Sequence, residues 1–294
     1  MLRTGVCGVN YEDMDKKTEV NKMKKVIIGI ITLLVIVAGG CGYYFEVYSP
    51  HEKAVTQFDN AKKKVEIENK KLQILIDGSE KLINSKKEAY DTSALDKLKS
   101  ADDSAKKALV SVPKVPKKTD AIEKATKELE KPIDYSTQIS ELKSASEAFE
   151  SSVKQLKQIT NPTSDFVIQR LKEVSSITGT QAVTENNDPN GNLNKQSGYT
   201  AAVYFTDKNV IEEVDGEDIV DKGTDAGGCI EVYPTKKDAE TRNAYLAAFD
   251  GAEMFNSGSH EVHGTVVIRT SANLTAAQQK DLTKQILDKL IELK

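Results

Sequence analysis

Apolar residues recur along this chain with three different periods. From Val26 to Phe45, twenty residues run without a charge. A helix of that length spans about 30 Å, the thickness of a bilayer's hydrocarbon core. From Pro50 to about Tyr90 the apolar positions Val55, Phe58, Val65, Leu72, Ile76 and Ile83 follow three- and four-residue steps, which predicts an amphipathic helix. Lys62 and Asn69 share that stripe, so it reads as a solvated helix packed in its own bundle rather than a long coiled-coil seam.

Two later segments repeat one unit. ALDKLKSADDSAKKALV and QISELKSASEAFESSVK align at an offset of 44 residues. Leu95 then matches Ile139, Leu98 matches Leu142, Ala101 matches Ala145, Ala105 matches Phe149 and Leu109 matches Val153. That spacing keeps the matched positions on one helix face. Asp91, Thr92 or Ser93 can cap the first copy, and Asp134 or Ser136 the second. Between them VPKVPKKTD forms a stiff break before a short helix from Asp120 to Lys131, which Pro132 ends.

After TNPTSD the period shortens. A helix is predicted from Ser164 to Val174, with Val167, Ile168, Leu171 and Val174 inward. Strands are predicted at TGTQAVT, YTAAVYF, CIEVY and VHGTVVIRT. Thr235 with Asp238 opens a helix ending near Phe249, and Thr275 with Gln278 opens another with the stripe Leu282, Ile286, Leu290 and Leu293. This order predicts helices on one face of a small, largely antiparallel sheet. The fold class is therefore an α-helical stalk of hairpins or a small bundle over residues 46–162, plus a small α+β domain over residues 163–294.

Charge orients the apolar run. Arg3, Lys16, Lys17, Lys22, Lys24 and Lys25 precede it, so residues 1–25 form a cytoplasmic basic tail and 26–45 a transmembrane helix. Tyr43, Tyr44, Phe45 and Tyr48 stand where an interfacial aromatic belt belongs. A second reading starts the chain at Met23 and treats Ala38-Gly39-Gly40-Cys41 as a lipoprotein processing site, with a lipid on Cys41. Both readings put everything after about residue 46 outside the cell. A net charge of −4 gives no electrostatic reason to expect nucleic acid. Cys7, Cys41 and Cys229 share no metal or disulfide spacing.

Candidate chemistry is sparse. Asn186, Asp188, Asn190 and Gly191 reproduce the first half of a calcium loop, and Asn192 adds a backbone carbonyl. The twelfth position is Ser197 instead of a bidentate glutamate, so the same residues also read as an Asn/Gly turn ahead of a strand. Asp221 and Asp225 lie beside glycines in DKGTDAGG, as ligand-cleft residues or as parts of a plain loop. His260 and His263 are three apart on a predicted strand and point to opposite faces, so they do not share a zinc ion. Cys229 opens an apolar strand and reads as a buried thiol. No recognisable catalytic constellation emerges, and calcium is the one cofactor the sequence suggests.

The two LKSA units resemble the short helical repeats of Gram-positive surface proteins loosely labelled EbhA-like or extracellular-matrix-binding. The stretches NPTSDFVIQRLKEV, NNDPNGNLNKQSGYTAAVYF, DKGTDAGGCIEVY, AYLAAFDG and SGSHEVHGTVVIRTS together resemble an uncharacterised family of membrane-anchored extracytoplasmic proteins of Gram-positive bacteria. The resemblance implies location and architecture and carries no reaction. The expectation is a single-pass, non-catalytic protein whose helical spacer presents an α+β domain to a glycan, wall polymer or surface protein. The alternatives are a scaffold of a membrane complex, or a wall hydrolase using Asp221, Asp225 or His260.

Overall fold

A computed structural model describes residues 50–250 and 258–294. The basic tail, the apolar run and Cys41 lie outside the described residues. Among the described residues no helix is long and apolar enough to cross a membrane. The elements are α1 (Pro50–Ile83), α2 (Ala94–Ala108), α3 (Thr119–Leu129), α4 (Ser136–Gln158), α5 (Ser164–Leu171), β1 (Ile177–Ala182), β2 (Ala201–Asp207), β3 (Gly227–Val232), α6 (Lys236–Ala247), β4 (Ser259–His263), β5 (Val266–Thr270) and α7 (Ala276–Ile291).

The described residues divide into two compact units, residues 50–65 with 112–131, and residues 66–111 with 132–250 and 258–294. In the first, Ala54, Phe58, Ala61 and Val65 of α1 are buried, as are Ile122 and Leu129 of α3. His51 Nδ1 lies 3.1 Å from Thr119 Oγ1 at the start of α3.

In the second unit the repeated segments form α2 and α4. Leu98, Ala105, Leu142 and Phe149 are buried in one cluster with Leu72 and Ile76 of α1, and Leu95, Ala101, Leu109, Ile139, Ala145 and Val153 pack against it. All five matched pairs therefore meet in a single core. Polar groups fix its register. Asn69 donates to the Val110 carbonyl (2.7 Å), while its Oδ1 accepts from the Val110 amide (3.3 Å) and the Tyr135 hydroxyl (2.5 Å). Buried Asp102 accepts from Ser79 and pairs with Lys106 at 2.6 Å. Asp91 accepts from the Ser93 amide and hydroxyl ahead of α2, and Asp134 accepts from the Ser136 amide ahead of α4.

The five strands form one antiparallel sheet in the order β1-β2-β3-β5-β4, giving an α+β domain. Val203, Phe205, Ile230, Val232, Val266 and Ile268 face α5 and α7, joined by Ile159 from just beyond α4. Their strand neighbours Ala202, Tyr204, Cys229 and Val267 face α6 through Ala239 and Leu246. Helices thus cover both faces, where the sequence predicted one. The reason is that β3 and β5 are buried at every position, and a sheet apolar on both sides needs two covers. A second correction concerns VHGTVVIRT, which holds parts of two strands. His263 pairs with Val266 across a tight turn, and Gly264 there adopts φ +61°, a conformation that favours glycine. The α7 start follows the sequence closely: Thr275 and Gln278 form a reciprocal capping box.

Candidate functional site

β3 brings charge into the centre of the sheet. Its alternation puts Cys229 and Glu231 on the α6 face, opposite Tyr204 and Ala202 of β2 and opposite Arg269 and Val267 of β5. Glu231 is 1% exposed, a burial that a carboxylate tolerates only when its oxygens are filled. They are. Oε2 accepts from Arg242 Nε (2.8 Å) and the Tyr233 hydroxyl (2.9 Å); Oε1 accepts from Arg242 Nη2 (2.9 Å) and Arg269 Nη1 (2.9 Å). Burial pushes the Glu231 carboxyl up, but the bonds from Arg242 and the charges of Arg269 and Arg242 outweigh it and hold it below the usual value. Burial also works against the Arg242 charge, and Glu231 more than restores it. Tyr233 and Tyr204 are pushed above ordinary phenols, first by burial and then by neighbouring negative groups.

Arg242, of the Arg242–Glu231–Arg269 triad, lines a cleft of about 460 Å³. One wall is the Asn-rich loop, contributing Asn192, Ser197 and Tyr199; the other is α6, contributing Lys237, Asp238, Thr241, Arg242 and Tyr245. α6 begins here because the Thr235 hydroxyl accepts from the Asp238 amide and caps its first turn. The 237/241 and 238/242 pairs are one turn apart, so the polar side chains line up along one side. Tyr245 is 57% exposed, and its ring lies 5.4 Å from the Arg242 guanidinium carbon. Tyr199 meets Tyr233 edge-on at 6.4 Å. At Gly198 a side chain would collide with the Asn192 carbonyl, 1.9 Å from where its Cβ would sit, so glycine is required to close that wall.

The residues singled out from sequence fall in several places. Asp188 organises the Asn-rich loop: it accepts from the Leu193 amide (2.7 Å), the Asn190 amide (3.1 Å) and the Tyr199 hydroxyl. Burial works to raise its pKa, but these bonds outweigh that and lower it. Its oxygens thus serve the loop itself, while Asn186, Asn190 and Asn192 are exposed. Among the described residues no three His, Cys, Asp or Glu side chains are grouped to hold a metal. Asp221 and Asp225 are exposed and line neither cleft described here. Asp225 contributes its carbonyl, which accepts from Ser271 Oγ (2.7 Å) and Asn273 Nδ2 (3.2 Å). His260 and His263 do take opposite faces of β4. His260 meets Asn243 of α6 at 2.8 Å and Asp250 at 3.2 Å; His263 meets Tyr90 at 3.3 Å in a second cleft of about 590 Å³. Cys229 is fully buried, and burial followed by the Glu231 charge pushes its thiol well above the usual range.

Sequence reasoning missed the triad. The available signal was a glutamate within CIEVY, between strand positions that read as core, with arginines eleven residues on and at the end of VVIRT. Comparisons with protein-family models, curated proteins and solved structures returned no match.

Proposed function

We propose that this chain is a membrane-anchored, extracytoplasmic binding protein whose α+β domain recognises an envelope glycan in the cleft between α6 and the Asn-rich loop. The uncharged run at Val26–Phe45, with its upstream lysines, supports the anchor and the orientation. The helices from α1 to α4 are the spacer in this reading. The observation that carries the binding role is the composition of the cleft. It joins a half-exposed tyrosine ring to hydroxyl and charged side chains held on a capped helix and to the Asn192 amide of the facing loop, and sugars offer the matching apolar ring faces and hydroxyl rims.

A non-catalytic role is supported by the same groups. Glu231 has both oxygens filled, the Cys229 thiol is buried, and Tyr199, Tyr204 and Tyr233 are held protonated, so none is poised to exchange a proton near neutral pH.

Full-length protein in detergent, passed over purified wall material and immobilised polysaccharides, tests the reading. Retention that falls in Tyr245→Ala is expected. Flow-through of the unmodified protein from every matrix would refute it. Protease added to intact protoplasts should digest the part beyond residue 46, and its survival until lysis would refute the orientation.

A further inference from the structure

The triad is not electrically balanced. Two guanidiniums share one carboxylate, which leaves one positive charge in excess. Both arginines are largely withdrawn from water, with side chains 19% and 10% exposed, so solvent compensates that charge poorly. Among the described residues Arg269 Nε is buried with no hydrogen-bond partner. Glu231 has no capacity left, since four donors already occupy its two oxygens. The cleft, which Arg242 lines, is a side from which further negative charge can come.

Arg242 is built to meet it there. Its Nε and Nη2 edge is locked on Glu231, the Tyr245 ring lies against its guanidinium, and it lines the cleft. Its Nη1 is not among the atoms that bond Glu231. A guanidinium fixed this way loses little freedom when an oxyanion arrives, and its planar fork matches phosphate or carboxylate oxygens. Exposed Lys237 adds a second cation one turn from the Thr241 hydroxyl. Asp238, the acid on this wall, accepts a 2.5 Å bond from Thr235 Oγ1 at the base of the helix.

We infer that the cleft selects an anionic saccharide, one whose phosphodiester or carboxylate oxygens sit between Arg242 and Lys237 while a sugar ring covers Tyr245. This rests on the glycan reading of the same cleft and narrows it to a charge class. The chain as a whole carries −4, so general attraction to polyanions does not account for such selectivity.

Binding of the full-length protein in detergent to three immobilised polymers tests the inference: poly(glycerol phosphate), polygalacturonate and neutral dextran. At least one polyanion is expected to bind about tenfold or more tightly than dextran. The two polyanion arms separate a phosphate ligand from a carboxylate one. Lys237→Glu, an exposed position, should weaken the preferred polyanion about tenfold, and raising salt should weaken it further. Lys280→Glu on α7, across the sheet, should change nothing. Equal binding of dextran and both polyanions, or a Lys237→Glu variant that binds its polyanion unchanged, overturns the inference. If dextran is retained equally and Tyr245→Ala abolishes that retention, the glycan reading survives and the charge class alone fails. Absence of binding to all three polymers and to wall material sinks both.

Discussion

Replacing Glu231 by glutamine keeps the shape of the triad and removes its one negative charge. Two buried guanidiniums then face each other through a neutral amide whose NH2 group cannot accept from them. Removing one partner of a buried, fully bonded ion pair costs about 3–5 kcal/mol, because the remaining charge stays desolvated. For a domain of 150–250 residues each kcal/mol moves the midpoint by about 2–4 °C, so Glu231→Gln should melt about 10 °C below the unmodified protein. The pH dependence has a definite sign. The folded-state pKa of Glu231 is depressed, so its contribution is fully present above about 4.3, the value of an unfolded glutamate. It is lost as pH falls through the folded value. Thermal unfolding of the full-length protein by circular dichroism, from pH 7 down to pH 3, measures both effects. The variant should lose stability at pH 7 and show a shallower acid slope, so the two curves converge. A companion triple variant, Glu231→Met with Arg242→Met and Arg269→Leu, removes every charge together and should be near neutral for stability. A Glu231→Gln midpoint within about 2 °C of the unmodified protein would refute the view that this carboxylate holds the sheet to α6.

Other consequences are open to direct measurement. Asn69→Leu strands the Val110 carbonyl and the Tyr135 hydroxyl proton, so denaturant unfolding should show a loss of about 1–3 kcal/mol, while the Val110 amide keeps its bond to the Tyr135 oxygen. Unchanged stability would mean that water replaces the asparagine. Gly264→Ala forces a side chain into φ +61° and to 2.5 Å from the Ile159 carbonyl, and should cost about 1–3 kcal/mol in the same assay. Cys229 should resist alkylation at pH 8 until denaturant is added, read by peptide mass spectrometry; rapid labelling of the folded protein would contradict its burial.

How much the sequence disclosed varied with the range of the interaction. Local signals were reliable. The Thr275–Gln278 box, the Thr235 cap and the matched faces of the two repeats all depend on residues within a turn or two of each other. The turn at Gly264 was missed because one glycine in an apolar run does not distinguish a bulge from a reversal of the chain. The second cover on the sheet was missed because α6 buries only Ala239 and Leu246, so its apolar stripe is too thin to announce a core-facing helix. The triad was missed for a different reason. Glu231 and Arg269 are 38 residues apart, and only the β3–β5 register makes them neighbours. The aspartates that drew attention in sequence, Asp221 and Asp225, stood beside glycines in a loop, and the chain leaves them facing solvent. Asn69, which looked like a flaw in the α1 stripe, instead joins α1 to Val110 and Tyr135.

The two matched helices also share an approximate symmetry. The Tyr90 amide bonds to the Ser152 carbonyl at one end, and the Val110 amide bonds to the Tyr135 hydroxyl at the other, so the copies lie head to tail. Like halves set in opposite directions are related by a local two-fold axis, the symmetry by which identical subunits form a dimer. The match is approximate: Ala105 stands where its counterpart is Phe149, so the two sides of that axis are filled unequally.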